Sequence, residues 1–229
     1  EMGAITRSLG ASLEMNRLEV GARLLSSLTR ISIHRLTAGF GLSSEARHRI
    51  TEAMSELSTM ELFVDDTPAR SMSDIAAVCR RLKRDRKRGL DYVMIDYLQL
   101  IEAEKLGRND TRESQIADIS RKLKKLAREL QVPVFVLSQL NRAAADGKDQ
   151  RPKLQHLRES GAIEQDADQV WFVHREEYYA TNELDKAKVA GKAELIVAKQ
   201  RNGWTGTVHL QFEKERCRFE NYSSKKDFT

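Results

Sequence analysis

A chain of 229 residues, 40% of them hydrophobic, is long and apolar enough to bury one substantial core, which excludes a disordered tail. Its net charge of +5 suits a phosphate-rich partner or plain solubility. Cys79, Cys217 and five scattered histidines offer no metal-ligand spacing, and no apolar run approaches the length of a membrane span, so a zinc module and a membrane protein are both excluded.

The chain opens on Glu1 without a signal peptide, so it reads as cytosolic, reduced and beginning inside a longer reading frame. Residues 1–15 show no clean period and are expected to be irregular. Asn16, with Glu19 three residues on, forms a capping-box pattern that opens a helix through about Leu28. A second helix is predicted from Ser44 to about Leu57, then a short strand at Glu61–Val64 stopped by Asp65-Asp66-Thr67-Pro68. Ser71 to Arg88 reads as a helix with Ile75, Val78, Cys79 and Leu82 inward, a basic outer face and Gly89 as its stop. A strand ending in Asp96, a polar loop at 102–110, a long helix at 112–130 and a strand from Val132 to Leu137 complete a parallel α/β pattern. Asn141 to Lys153 is small, polar and charged and reads as a mobile loop. Strands follow at 169–174, 193–198, 206–212 and 217–221, with Asn202-Gly203 marking a tight turn, and 223–229 is a polar tail.

Asp96 stands at the end of a continuous apolar run, as expected of a strand buried on both faces. Open α/β sheets gather ligands at such strand ends, so Asp96 is either a carboxylate poised for Mg²⁺ or a strand-end cap. Ser138 and Gln139 close the neighbouring strand, where an amide either meets a nucleotide phosphate or satisfies loop backbone. Lys199 and Arg201, two residues apart before the Asn-Gly turn, project from one face and suit a phosphate or a solvated sheet edge. Arg158, Glu159, Ser160 and Gly161 form a polar loop opening a helical turn, which fits a nucleic-acid phosphate or an ordinary cap. Glu14 precedes the Asn16 helix, as a water-orienting base or a helix-dipole partner. The basic face at 80–88 lacks interleaved aromatics and reads as solvated surface. No G-x-x-x-x-G-K-[ST] phosphate loop occurs in these residues.

SLEM at 12–15, DYLQL at 96–100, PVFVLSQLNRA at 133–143, LRESGAIEQDAD at 157–168 and AKQRNGWTGTVHLQF at 198–212 together resemble the C-terminal motor domain of DnaB-type replicative DNA helicases. The likeness runs from about Ser12 to Tyr222. It implies a RecA-like, mostly parallel sheet flanked by helices, with a C-terminal antiparallel hairpin extension, over 16–222. It also implies a homo-hexamer moving 5′ to 3′ on single-stranded DNA with ATP and Mg²⁺, served by a primase and a helicase loader in the cytoplasm. Position by position, the resemblance makes Glu14 the water-activating glutamate, Asp96 the Mg²⁺-holding aspartate and Gln139 the γ-phosphate sensor. Lys199 and Arg201 become the pair reaching a neighbouring subunit's ATP, with Arg201 as arginine finger. Arg158, Glu159 and Gly161 become the DNA-backbone loop. Two departures stand out: the Walker A loop is absent, and Gly3 to Ala11 lack the apolar strand of the family.

Two further readings accompany the helicase motor. A non-catalytic truncated paralogue would bind single-stranded DNA or enter helicase rings without hydrolysing ATP. A RecA-like recombination ATPase is disfavoured by KQRNG-x-TG. On either of the first two readings these 229 residues alone are expected to lack useful ATPase activity.

Overall fold

A computed structural model describes residues 7–85, 89–104, 111–141 and 150–222. The expected loop segments at 105–110 and 142–149, Arg86, Lys87 and Arg88 of the basic face, residues 1–6 and the tail at 223–229 lie outside the described residues. The first sheet contains β1 (Ser8–Ser12), β2 (Leu62–Asp65), β3 (Tyr92–Asp96) and β4 (Val134–Val136), all parallel in the order β2-β1-β3-β4. Between β1 and β2 come α1 (Arg17–Thr29), α2 (Ile33–Ala38) and α3 (Ser44–Thr59). α4 (Met72–Arg84) joins β2 to β3, and α5 (Arg112–Leu130) joins β3 to β4. A second, antiparallel sheet runs β5 (Gln169–His174), β6 (Lys192–Gln200), β7 (Gly206–Glu213) and β8 (Arg218–Asn221), with α6 (Gly161–Asp166) ahead of β5 and α7 (Glu183–Val189) between β5 and β6.

The main core forms where one face of the parallel sheet meets α4 and α5. Leu9 and Ala11 of β1 and Val93 and Ile95 of β3 meet Ile75, Cys79, Ile119 and Leu123 there, all nearly or fully buried. The predicted stripe of α4 packs inward, with Val78 partly buried, and α5 buries Ile116, Ile119, Leu123, Leu126 and Leu130, because 3.6-residue spacing sets each stripe on one side of its helix. Among the described residues no helix is long and apolar enough to cross a membrane.

Three expectations are corrected. The start of the chain is not irregular through residue 15: β1 lies between β2 and β3. Its sequence, SLGAS, hides the strand because Leu9 and Ala11 alone face the core, while small residues suffice on the other side. Val93–Ile95 is not buried on both faces either, since Met94 is 44% exposed between buried neighbours. Finally, the sequence signals neither α2 nor α7. Ser32 and Asn182 cap these helices, yet neither helix has a buried residue to reveal its period.

Candidate nucleotide and DNA site

Parallel pairing brings the C-terminal ends of β1 and β3 together: Ser12 lies opposite Asp96, and the Leu13 amide donates to the Asp96 carbonyl at 2.8 Å. The chain then turns sharply, with the Ser12 hydroxyl donating to the Met15 carbonyl at 2.7 Å. Asn16 fixes the far end of the turn by accepting from the Leu18 and Glu19 amides, while Glu19 Oε2 accepts from the Asn16 amide at 3.0 Å. Glu14 is therefore carried on a turn tied at both ends. Burial pushes the Asp96 carboxyl above the usual aspartate range, and the nearby Glu14 charge pushes it further. Arg23 of α1 partly offsets both.

Gln139 reaches the same end of the sheet through β4, which pairs with β3 at Ile95 and Val136. Its side chain is exposed, and its backbone is clamped. Gln99 accepts from the Gln139 amide at 3.1 Å and donates to the Gln139 carbonyl at 3.2 Å and the Ser138 hydroxyl at 3.1 Å. Arg112 in turn holds the Gln99 carbonyl and, at 3.1 Å, the Gln115 side chain. Gln99 is thus a positioning residue that sequence reasoning quotes within DYLQL without singling out. Its only signal is a polar residue inside an apolar stretch.

Lys199 and Arg201 do not join Asp96 and Glu14. The register between β5 and β6 shifts at Val170 and Trp171, so Lys199 pairs with Val170 and turns toward α6. Its ammonium donates to the carbonyls of Glu164 and, at 2.8 Å, Ala167, a favourable place for a cation at a helix C-terminus. Arg201 donates to the Gln165 carbonyl at 3.1 Å and to Asp168 Oδ1 at 3.2 Å. Lys124 of α5 also holds Asp168, and together these cations keep its carboxyl below the ordinary range. The two predicted cations therefore share one anchored hairpin, apart from the chain's own acidic pair.

Arg158 and Glu159 belong by backbone to a 3-10 segment, Leu154–Ser160, that leads into α6 at Gly161. Gly161 has a helical φ of −50°, and a Cβ there would meet nothing within 4 Å. Neither backbone conformation nor crowding within the chain therefore requires glycine at this position. On α4, Arg80 makes a bidentate pair with Glu129 at 2.6 and 2.9 Å, and Lys83 donates to the Leu90 carbonyl at 3.0 Å. Those two residues of the basic face are committed to intramolecular contacts. A cavity of about 490 Å³ along β2 and α4 contains the Asp65–Arg70 pair, but neither Asp96 nor Glu14 lines it.

Among the described residues no group of three or more His, Cys, Asp or Glu could hold a metal by itself. The Asp96–Glu14 pair fits a divalent cation that fills its shell with water and phosphate oxygens, as Mg²⁺ does, because a cation there would offset the burial and the Glu14 charge that make Asp96 costly to ionise.

A parallel sheet flanked by helices, with a separate antiparallel sheet, is the architecture of RecA-like helicase ATPase domains. Residues 4–221 match the DnaB-like helicase C terminal domain, and the chain belongs to that family. It is 44% identical over 217 residues to the replicative DNA helicase DnaC of Bacillus subtilis (strain 168), covering 94% of this chain and 46% of that protein. The replicative DNA helicase DnaB of Geobacillus stearothermophilus matches to the same extent: 44% identity over 217 residues, with 94% and 46% covered. Among solved structures, one ATPase domain superposes with a TM-score of 0.87 at 39% identity, over 95% of this chain and 75% of that one. A DnaB-like replicative helicase, described with its interactions with primase, gives a TM-score of 0.87 at 39% identity, over 95% of this chain and 51% of that one. The chain therefore spans about half the length of the curated relatives it matches.

Proposed function

We propose that these residues form part of an ATP-dependent replicative DNA helicase, a homo-hexamer that moves 5′ to 3′ on single-stranded DNA and unwinds the duplex. The observation that carries the reading is the division of the site. Glu14, Asp96 and Gln139 gather at one end of the parallel sheet, while Lys199 and Arg201 are anchored on α6, where they meet neither acid. That division suits a site shared between neighbouring copies. Asp96 would hold Mg²⁺ through water, and Mg²⁺ when bound neutralises charge on the transferring phosphoryl group. Glu14 accepts the proton of the attacking water, and Gln139, clamped by Gln99, relays the state of the terminal phosphate to the strand end. Lys199 and Arg201 serve the nucleotide of the adjacent subunit. Arg158, Glu159 and Gly161 follow the DNA backbone, so binding should be salt-sensitive and indifferent to sequence. A primase and a helicase loader are the expected partners, in the cytoplasm at the replication fork.

The test uses a chimera in which this chain replaces the matched three quarters of the solved ATPase domain. Arg201→Ala should lower its DNA-stimulated ATP turnover by about 10³-fold or more, as loss of an arginine finger does. Unchanged turnover would overturn the assignment. The 229 residues alone, which carry no Walker A loop, should give no measurable turnover.

A further inference from the structure

Asp168, between α6 and β5, holds Arg201 at two points. The Arg201 amide donates to the Asp168 carbonyl at 2.9 Å, and Arg201 Nη1 donates to Asp168 Oδ1 at 3.2 Å. The other carboxylate oxygen, Oδ2, accepts from the Lys124 ammonium of α5. Each cation thus has its own oxygen, and Lys124 above all, with Arg201 and Arg128, holds the Asp168 carboxyl below its ordinary range. Arg201 Nη2 donates to the Gln165 carbonyl at 3.1 Å, so carboxylate and carbonyl together set the orientation of the guanidinium. A guanidinium carries more N–H donors than these two contacts use. The Arg201 side chain remains 47% exposed, so the other donors are open to a partner.

Lys124 ties Asp168 to the main core. Its side chain is 22% exposed, and Ile119, Leu123 and Leu126 around it on α5 are buried in that core. Ser120, one turn before Lys124 on the same face of α5, donates to Asp166 Oδ2 at 2.8 Å and fastens the end of α6 to the same helix. An ion pair as exposed as Asp168–Arg201 contributes little to stability. What it supplies is direction to a long, rotamer-rich side chain.

We infer that Asp168 is a positioning residue for Arg201: seated on Lys124, it fixes the guanidinium so that the remaining N–H groups face a neighbouring copy's nucleotide. The inference rests on the proposed role of Arg201 at that nucleotide. An arginine oriented in advance need not be ordered at the moment of reaction. Loss of Asp168 should therefore slow the chemical step and leave nucleotide binding alone.

The test measures kcat and KM for ATP in the chimera, with DNA present. Asp168→Ala should lower kcat about tenfold or more and leave KM within about twofold, since a misoriented arginine fails in the transition state rather than in binding. Lys124→Met, which keeps Asp168 but removes its anchor, should lower kcat in the same sense by less. In an Arg201→Ala background neither substitution should reduce the residual turnover further, because the residue they position is gone. Circular dichroism of the 229-residue chain should show both variants folded as the unsubstituted chain is. Full kcat in Asp168→Ala, with Arg201→Ala still slow, would overturn the inference and leave the role of Arg201 standing. A raised kcat would overturn it too, since the contact would then hold Arg201 back. Equal losses with and without Arg201 would overturn it by marking Asp168 as structural. Full turnover in Arg201→Ala would overturn both the inference and the role of Arg201.

Discussion

At the scale of single residues, Asp96 is the acid of the candidate site whose carboxyl is displaced from its ordinary range. Its pKa is raised by burial and by Glu14, so the folded chain holds the proton to a higher pH than the unfolded chain does. Stability is therefore lost as pH rises from the unfolded value of 3.8 through the raised folded value, and above that window the charged Asp96 is a cost. Asp96→Asn should raise the melting temperature at pH 7 and change it little at pH 3. Mg²⁺ should stabilise the unsubstituted chain more than this variant, and an equal response in both would remove Asp96 from the metal site. Glu104 behaves in the opposite sense: hydrogen bonds from Lys122 and Ser73 hold its carboxyl down to about 2. Its contribution is present above 4.5 and lost as pH falls toward 2, so Glu104→Gln should lower the melting temperature at pH 7 and much less near pH 2. Cys79 is fully buried with its thiol pushed up to about 11, whereas Cys217 is partly exposed. A thiol reagent should modify Cys217 in the native chain, and Cys79 only on unfolding.

At the scale of elements, legibility tracks how much physics each segment carries in its own sequence. The capping box at Asn16 and Glu19 is readable because both partners are local, and Asn16→Ala should cost about 1 kcal/mol in denaturant unfolding. The stripe of α5 is readable because its apolar residues repeat at helical spacing. Ile119→Ala within it should cost about 3 kcal/mol, because the site cannot fully collapse. β1 is not readable, since its burial is imposed by β2 and β3 on either side and its own residues are mostly small. The site is legible in the same measure. Asp96, Gln139 and the Lys199–Arg201 pair announce themselves by residue type at strand ends. The Gln99 clamp and the anchoring of both cations on α6 depend on contacts 32 to 40 residues apart in sequence. The turn of Lys199 toward α6 follows a register shift that no local alternation predicts.

At the scale of the whole molecule, the two sheets divide the work. The parallel sheet brings together the acids and the proposed phosphate-sensing amide, and the antiparallel sheet holds out the cations on a hairpin tied to α6. α6 also begins at the proposed DNA loop and ends beside the carbonyls that hold Lys199 and Arg201, so one short helix joins the two proposed contacts. The proposed function accordingly takes the acid of a working site from one copy and the arginine from the next.

Mixing two inactive variants of the chimera tests that claim most directly. Asp96→Asn subunits lack the acid and Arg201→Ala subunits lack the proposed finger, so each is expected to form rings without turnover. Co-assembled, they create interfaces where an intact Asp96 meets an intact Arg201. The account predicts that DNA-stimulated ATP hydrolysis reappears in the mixture. Mixed rings that form and remain silent would show that acid and arginine do not act across a subunit boundary.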